Sequence, residues 1–183
     1  MSAPRKPTPQ QIAAARGRTV PDILGPGLRV LFCGINPSLY SAAVGHHFAR
    51  PGNRFWPALH AAGFTERRLS PFEARQLLDR GYGLTNIVAR ATASAAELTG
   101  DELVRGALLL RRKLRRYRTA VVAFLGVGSY RTAFGRPEAG LGPQPERIAE
   151  TAVWVLPNPS GLNAHYRLAD LARLYGELRR ATG

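Results

Sequence analysis

The sequence predicts an α/β protein, a three-layer α/β/α sandwich around a central, mainly parallel four-stranded sheet. Three observations lead there. Short apolar runs at Leu28 to Gly34, Gly83 to Val88, Thr119 to Leu125 and Ala152 to Leu156 are separated by longer segments of helical periodicity. The first run, Leu28 to Gly34, is apolar almost continuously rather than in alternation, as strands covered on both faces are. Helical segments open on recognisable capping residues, and 183 residues suit one ordinary core.

Taken in order, residues 1–19 are rich in Pro, Arg and Gln and read as a mobile basic arm, in which Thr8-Pro9 could cap a short helix through Ile12 to Arg16. Residues 20–183 form the single domain. The first strand, Leu28 to Gly34, runs into the loop Gly34-Ile35-Asn36-Pro37-Ser38, and helix follows the loop. Asn53 to Ala62 and Ser70 to Arg80 read as helices. The second opens on Ser70-Pro71-Phe72-Glu73, where a Ser hydroxyl and a Glu carboxylate three residues on can satisfy each other's free backbone N–H groups. Gly83 to Val88 is the second strand. Thr99 to Tyr117 is a long helix with the same kind of start, Thr99 and Glu102, and a core stripe of Leu103, Ala107, Leu110, Leu114 and Tyr117. The arginines Arg105, Arg111, Arg112, Arg115, Arg116 and Arg118 fall mostly on other faces, and a solvated face accounts for them better than a DNA track. Thr119 to Leu125, the short helix Val127 to Phe134, the strand Ala152 to Leu156 and the helix Leu168 to Arg180 complete the alternation.

Charge narrows the function. Twenty-six Lys and Arg against twelve Asp and Glu leave a net charge of +14, a field that favours a polyanionic partner, although an Arg-rich codon bias would produce part of the same excess. No apolar segment approaches the roughly 18 residues of a membrane span, and the start MSAPRKPTPQQ lacks a secretory signal. The expectation is a monomeric cytoplasmic, nucleoid-associated bacterial protein with no membrane partner. Cys33, the only cysteine, reads as a small core residue. His46 and His47 are adjacent but lack a third ligand at suitable spacing, so they read as surface polar residues and no metal is expected. Gly126-Val127-Gly128 falls short of a dinucleotide or phosphate loop, so no cofactor is expected either.

In open α/β sheets ligands bind beyond the carboxyl ends of the strands. That rule selects the loops at 34–38, 85–87 and 157–162, and each supplies an amide side chain: Asn36, Asn86 and Asn158. At these loops the chain resembles the mismatch-specific uracil-DNA glycosylase and thymine-DNA glycosylase family of the uracil-DNA glycosylase superfamily. The motifs that carry the resemblance are Pro21-Asp22-Ile23-Leu24, Gly34-Ile35-Asn36-Pro37, Arg50-Pro51-Gly52-Asn53-Arg54-Phe55-Trp56 and Leu156-Pro157-Asn158-Pro159-Ser160-Gly161-Leu162. Only the N-terminal arm falls outside it.

The resemblance implies a monofunctional hydrolase that flips uracil, including uracil in G·U mismatches, out of double-stranded DNA and leaves an abasic site for base excision repair. Breaking the bond between deoxyribose and uracil builds positive charge on the sugar and negative charge on the base, so the site must place a water and stabilise both charges. By family position Asn36 orients the water; an amide oxygen can do so but is not an efficient base. A carboxylate such as Asp22 could supply the base that Asn36 lacks. Phe48 stacks on the uracil beside Ile35, and Asn86 reads its edge, donating to O4 and accepting from N3–H. An amide can rotate to match cytosine as well, so selectivity requires neighbours that lock Asn86. Asn158, where faster superfamily members carry His, is a weaker clamp near O2. Ser160, Gly161, Leu162 and Asn163 meet the DNA: Leu162 is the wedge that fills the gap in the stack, and Gly161 lets the backbone approach. After the wedge the chain departs from the family pattern, with Asn163, Ala164, His165 and Tyr166. Two other functions share parts of this constellation: a module that binds damaged DNA without hydrolysing it, and an α/β enzyme acting on free nucleosides. The first needs no water-positioning amide at Asn36 and the second no wedge at Leu162.

Overall fold

The computed structural model of the protein describes residues 6–183. Five strands form one sheet in the order β2-β1-β3-β5-β4, where β1 is Val30–Gly34, β2 Tyr82–Asn86, β3 Val121–Leu125, β4 Gly142–Ile148 and β5 Thr151–Leu156. β1 pairs in parallel with β2 and β3, and β3 with β5, so these four strands end at the same edge of the sheet. The chain leaves β1 for β2 on one side and continues with β3 on the other. A crevice opens where such neighbouring connections diverge, and here it lies at the end of β1.

The side chains of β1 explain the layers. Val30 and Phe32 point into a core shared with Phe55, Trp56 and Leu59 of α3 (Phe55–Ala61) and Leu171, Tyr175 and Leu178 of α6 (Leu168–Ala181). Leu31 and Cys33 point to the opposite core, against Leu103, Ala107, Leu110 and Leu114 of α4 (Gly100–Tyr117) and Tyr130 and Ala133 of α5 (Val127–Phe134). Burial on both faces is what the unbroken apolar runs require. The predicted α4 stripe is buried except for Tyr117, which is half-buried at the last turn. Thr99 and Glu102 form the expected reciprocal cap, with Glu102 N–H donating to Thr99 Oγ1 at 3.2 Å and Thr99 N–H to Glu102 Oε2 at 2.9 Å.

Three expectations are corrected. The sheet has a fifth strand, β4, antiparallel to β5 at the edge and irregular between Pro143 and Arg147. Its two prolines and polar residues give no strand signal, yet an edge position and a bulge tolerate residues that cannot donate to the ladder. The segment Pro71–Arg80 is a 3₁₀ rather than an α-helix, although Ser70 and Glu73 cap it as expected. The third concerns the arm, whose first five residues lie outside the described ones. From residue 6 onward it is docked: α1 (Pro9–Ala13) leads into Ala15, fully buried with Val20 against Ala91 and Ala42 of α2 (Leu39–Val44). Gly17 N–H donates to the Ala91 carbonyl at 3.0 Å and Ala91 N–H to the Arg18 carbonyl at 2.8 Å, so backbone pairing and a small apolar side chain hold this segment down. Among the described residues, no helix is long and apolar enough to cross a membrane.

Candidate active site

The crevice beyond β1 holds a cavity of about 350 Å³, within the range of about 300–1,000 Å³ usual for small-molecule pockets. Ile35, Asn36, Phe48, Asn86, Asn158, Ser160, Leu162 and Asn163 all line it. Three loops far apart in the chain thus converge on one space, as the strand-end rule requires.

Asn36 follows β1 and is held by the segment after β2. Its Nδ2 donates to the Arg90 carbonyl at 3.0 Å and to Thr92 Oγ1 at 2.7 Å. Thr92 gives its own hydroxyl hydrogen to the Ser94 carbonyl at 2.7 Å, so toward Asn36 it can only accept. Both amide hydrogens of Asn36 are therefore committed, and turning the amide over would set its oxygen against the Arg90 carbonyl. What remains for the cavity is Oδ1, an acceptor. Arg90 is itself clamped by Glu102 at the start of α4, with contacts of 2.5 and 3.0 Å, so the capping residue of a distant helix steadies Asn36. Thr92 and Arg90 carry no sequence signal for this duty.

Asn86 closes β2 and is the register partner of Gly34. A Cβ on Gly34 would lie 2.5 Å from Asn86 Oδ1 and 3.2 Å from Phe48 Cε1 and Cζ, so both side chains cross the glycine at van der Waals range. Phe48 itself adopts φ +53°, a left-handed conformation unusual for an aromatic residue. The turn brings its ring onto Phe55, with centroids 4.1 Å apart and planes at 27°. Trp56 Nε1 steadies the turn by donating to the His47 carbonyl at 3.2 Å.

His47 departs from expectation. It is 3% exposed, because the turn that presents Phe48 drives the preceding imidazole inward. Nε2 lies 2.9 Å from the Pro21 carbonyl and Nδ1 lies 3.5 Å from Asn86 Nδ2. Burial is the largest influence on the imidazole and holds its pKa below the usual 6.5, while the Pro21 carbonyl and Asp22 pull the other way. Asp22 does not line the cavity. It is ion-paired with Lys113 at 2.5 Å and accepts from the Thr85 hydroxyl at 2.7 Å, which ties α4 to β2 and commits the carboxylate away from the cavity. Among the described residues no group of three or more His, Cys, Asp and Glu is arranged to hold a metal ion.

The third loop is built differently. Asn158 Oδ1 accepts from Ser160 N–H at 2.9 Å, which leaves the Nδ2 donor end for the cavity. Asn163 braces the loop from within, donating to the Asn158 carbonyl at 3.0 Å and accepting from His165 N–H at 3.2 Å. Gly161 packs on the protein itself: a Cβ there would lie 2.6 Å from the Gly52 carbonyl oxygen. Leu162 stands at the rim, 73% exposed. The whole turn is strapped by Arg54, whose guanidinium donates to the carbonyls of Ser160 at 2.6 Å, Asn163 at 2.8 Å and Tyr166. Arg54 lies in one of the sequence motifs, but only the folded loop reveals its task.

Two comparisons bear on this site. The sequence profile of the Uracil DNA glycosylase superfamily matches residues 21–179. The fold is similar to the solution structure of a Methanosarcina acetivorans protein described as a candidate uracil DNA glycosylase. That likeness has a TM-score of 0.58 and 20% sequence identity, and covers 89% of this chain and 98% of that one. The profile runs from the Pro21 that receives His47 into the last turn of α6 and takes in every strand-end loop around the cavity, and on that match the chain belongs to the uracil DNA glycosylase superfamily.

Proposed function

We propose that the protein is a monofunctional DNA glycosylase that draws uracil out of duplex DNA, including uracil opposite guanine, and hydrolyses its bond to deoxyribose. The observation that carries this reading is the locked amide of Asn36. With both N–H groups tied to Arg90 and Thr92, its Oδ1 is a fixed acceptor at a base-sized cavity, suited to hold one hydrogen of a water and aim the oxygen lone pair at C1′. As the bond from C1′ to N1 breaks, its electron pair leaves with the uracil and the water oxygen bonds to C1′. The water then gives its surplus proton to solvent. Asn36 orients without removing a proton, so much of the barrier must be met by stabilising the departing base. The free donor of Asn158 and the edge of Asn86 serve that purpose, with Phe48 against the ring.

A polyanionic substrate agrees with the net charge of +14. Leu162, apolar and exposed beside the cavity, has the character of a group that enters the base stack when the nucleotide leaves it. The test is a gel assay on labelled duplexes carrying uracil opposite each base, read as strand cleavage after alkali. The native protein is expected to cleave at uracil, and Asn36→Ala to lose on the order of 10²-fold or more in rate while still binding DNA. Near-native turnover by Asn36→Ala would remove Asn36 as the water's partner.

A further inference from the structure

We propose that His47 sets the choice of uracil over cytosine by fixing which end of the Asn86 amide faces the base. The inference rests on the reading that a flipped base occupies the cavity. A carbonyl can only accept, so Nε2 of His47, 2.9 Å from the Pro21 carbonyl, must carry the ring hydrogen. In a neutral imidazole Nδ1 is then a bare lone pair, and of the two ends of Asn86 only the NH₂ end can face it. That is the arrangement found, with Nδ2 at 3.5 Å from Nδ1. The second Nδ2 hydrogen and Oδ1, the latter lying over Gly34, are what Asn86 has left for the cavity. Donor beside acceptor complements O4 and N3–H of uracil. Cytosine presents a donor at its exocyclic N4 and a bare N3, so against this amide it meets donor with donor and acceptor with acceptor.

The same wiring has a second state. An imidazolium carries hydrogens on both nitrogens, and its Nδ1–H would confront Asn86 Nδ2. Turning the amide relieves the clash: Oδ1 accepts from His47 and Nδ2 faces N3 of the base, the pattern that suits cytosine. The charged groups around the ring are Asp22, which favours the imidazolium, and Lys113 and His46, which oppose it; Asp22 and Lys113 are paired with each other. Burial weighs against the charged form, so the uracil-reading state is the ground state near neutrality.

Single-stranded oligonucleotides carrying 2′-fluoro-2′-deoxyuridine or 2′-fluoro-2′-deoxycytidine isolate this choice, because the fluorine suppresses bond breaking and no pair has to be opened. Binding is measured across about pH 5 to 8, where histidine changes charge. The native protein is expected to prefer the uracil probe by roughly tenfold or more at the alkaline end, the usual scale for a mismatched buried hydrogen-bonding edge, with the preference shrinking on acidification. His47→Phe keeps an aromatic ring of similar bulk but has no lone pair, and should lose most of the preference and its dependence on pH. A native preference that does not change with pH, a His47→Phe protein that keeps the native ratio, or one that loses affinity equally for both probes together with a lowered melting temperature would overturn the proposal. The native pH profile decides even if the variant does not fold. Failure of the native protein to excise uracil in the alkali assay would bring down the underlying reading and this one together, whereas excision with no base preference brings down this one alone.

Discussion

The floor of the cavity and the loop at its rim are built by opposite means. On the floor, Asn36 and Asn86 sit at the ends of buried parallel strands and each donates at least one side-chain hydrogen bond of its own, to Thr92 in one case and to His47 in the other. The polar groups there point one way because every alternative leaves a buried group facing its like. The rim loop at 158–166 is held mainly through its backbone: one guanidinium collects three carbonyls, and the loop's own amides fill in the rest. Its apolar tip at Leu162 is left to solvent. On the proposed reading the floor orients a water and reads a base, while the rim presents one side chain at a fixed height without burying it. Pre-organisation is spent where sub-ångström placement matters.

The sharpest way to break this comparison is Gly34→Ala. A methyl group there would lie 2.5 Å from Asn86 Oδ1 and 3.2 Å from the Phe48 ring, so one or both side chains must shift. Excision should fall on the order of 10²-fold or more, since displacements of about 1 Å at a catalytic site have that effect. The overpacking itself should cost about 1–3 kcal/mol of stability. A single-turnover rate and a thermal melt measure the two separately, and a near-native rate would mean that Asn86 and Phe48 do not need their present positions.

Arg54→Lys probes the strap. An ammonium cannot span three carbonyls as a planar fork does, so the loop should loosen while the floor stays in place. Excision from duplex DNA should drop roughly tenfold, the scale of losing charge-assisted hydrogen bonds, and excision from single strands should drop less. Equal losses on both substrates would show that the strap supports the floor as well as the rim.

Leu162→Ala should have the smallest effect on the protein itself, within about 0.5 kcal/mol, because the side chain is exposed. If Leu162 is the proposed wedge, its effect on excision should be graded, greatest for uracil paired with adenine, smaller for uracil opposite guanine and least in single strands, because a wedge offsets the cost of opening the pair. A uniform loss with a lowered melting point would assign Leu162 to packing and take away its part at the rim.

Much of this organisation was legible in the chain. The unbroken apolar runs dictated strands buried on both faces, and the reciprocal pairs Ser70–Glu73 and Thr99–Glu102 marked where helical segments begin, because those signals are local and each residue carries its own propensity. The strand-end rule singled out Asn36, Asn86 and Asn158, and all three line one cavity. The edge strand β4 escaped because Pro143 and Pro145 speak against a ladder, and only a free edge beside β5 makes them acceptable. His47 read as a surface residue because nothing in its neighbours in sequence announces burial; the left-handed turn at Phe48 and the carbonyl of Pro21 put it inside. The sequence by itself determined the four parallel strands, the layering of the helices about them and the chemical kinds of group at the strand ends. Which way each amide faces, and what Arg54 and His47 hold, was decided by the tertiary structure alone, because an amide or an imidazole has two nearly equivalent orientations until distant parts of the chain supply a partner that accepts only one.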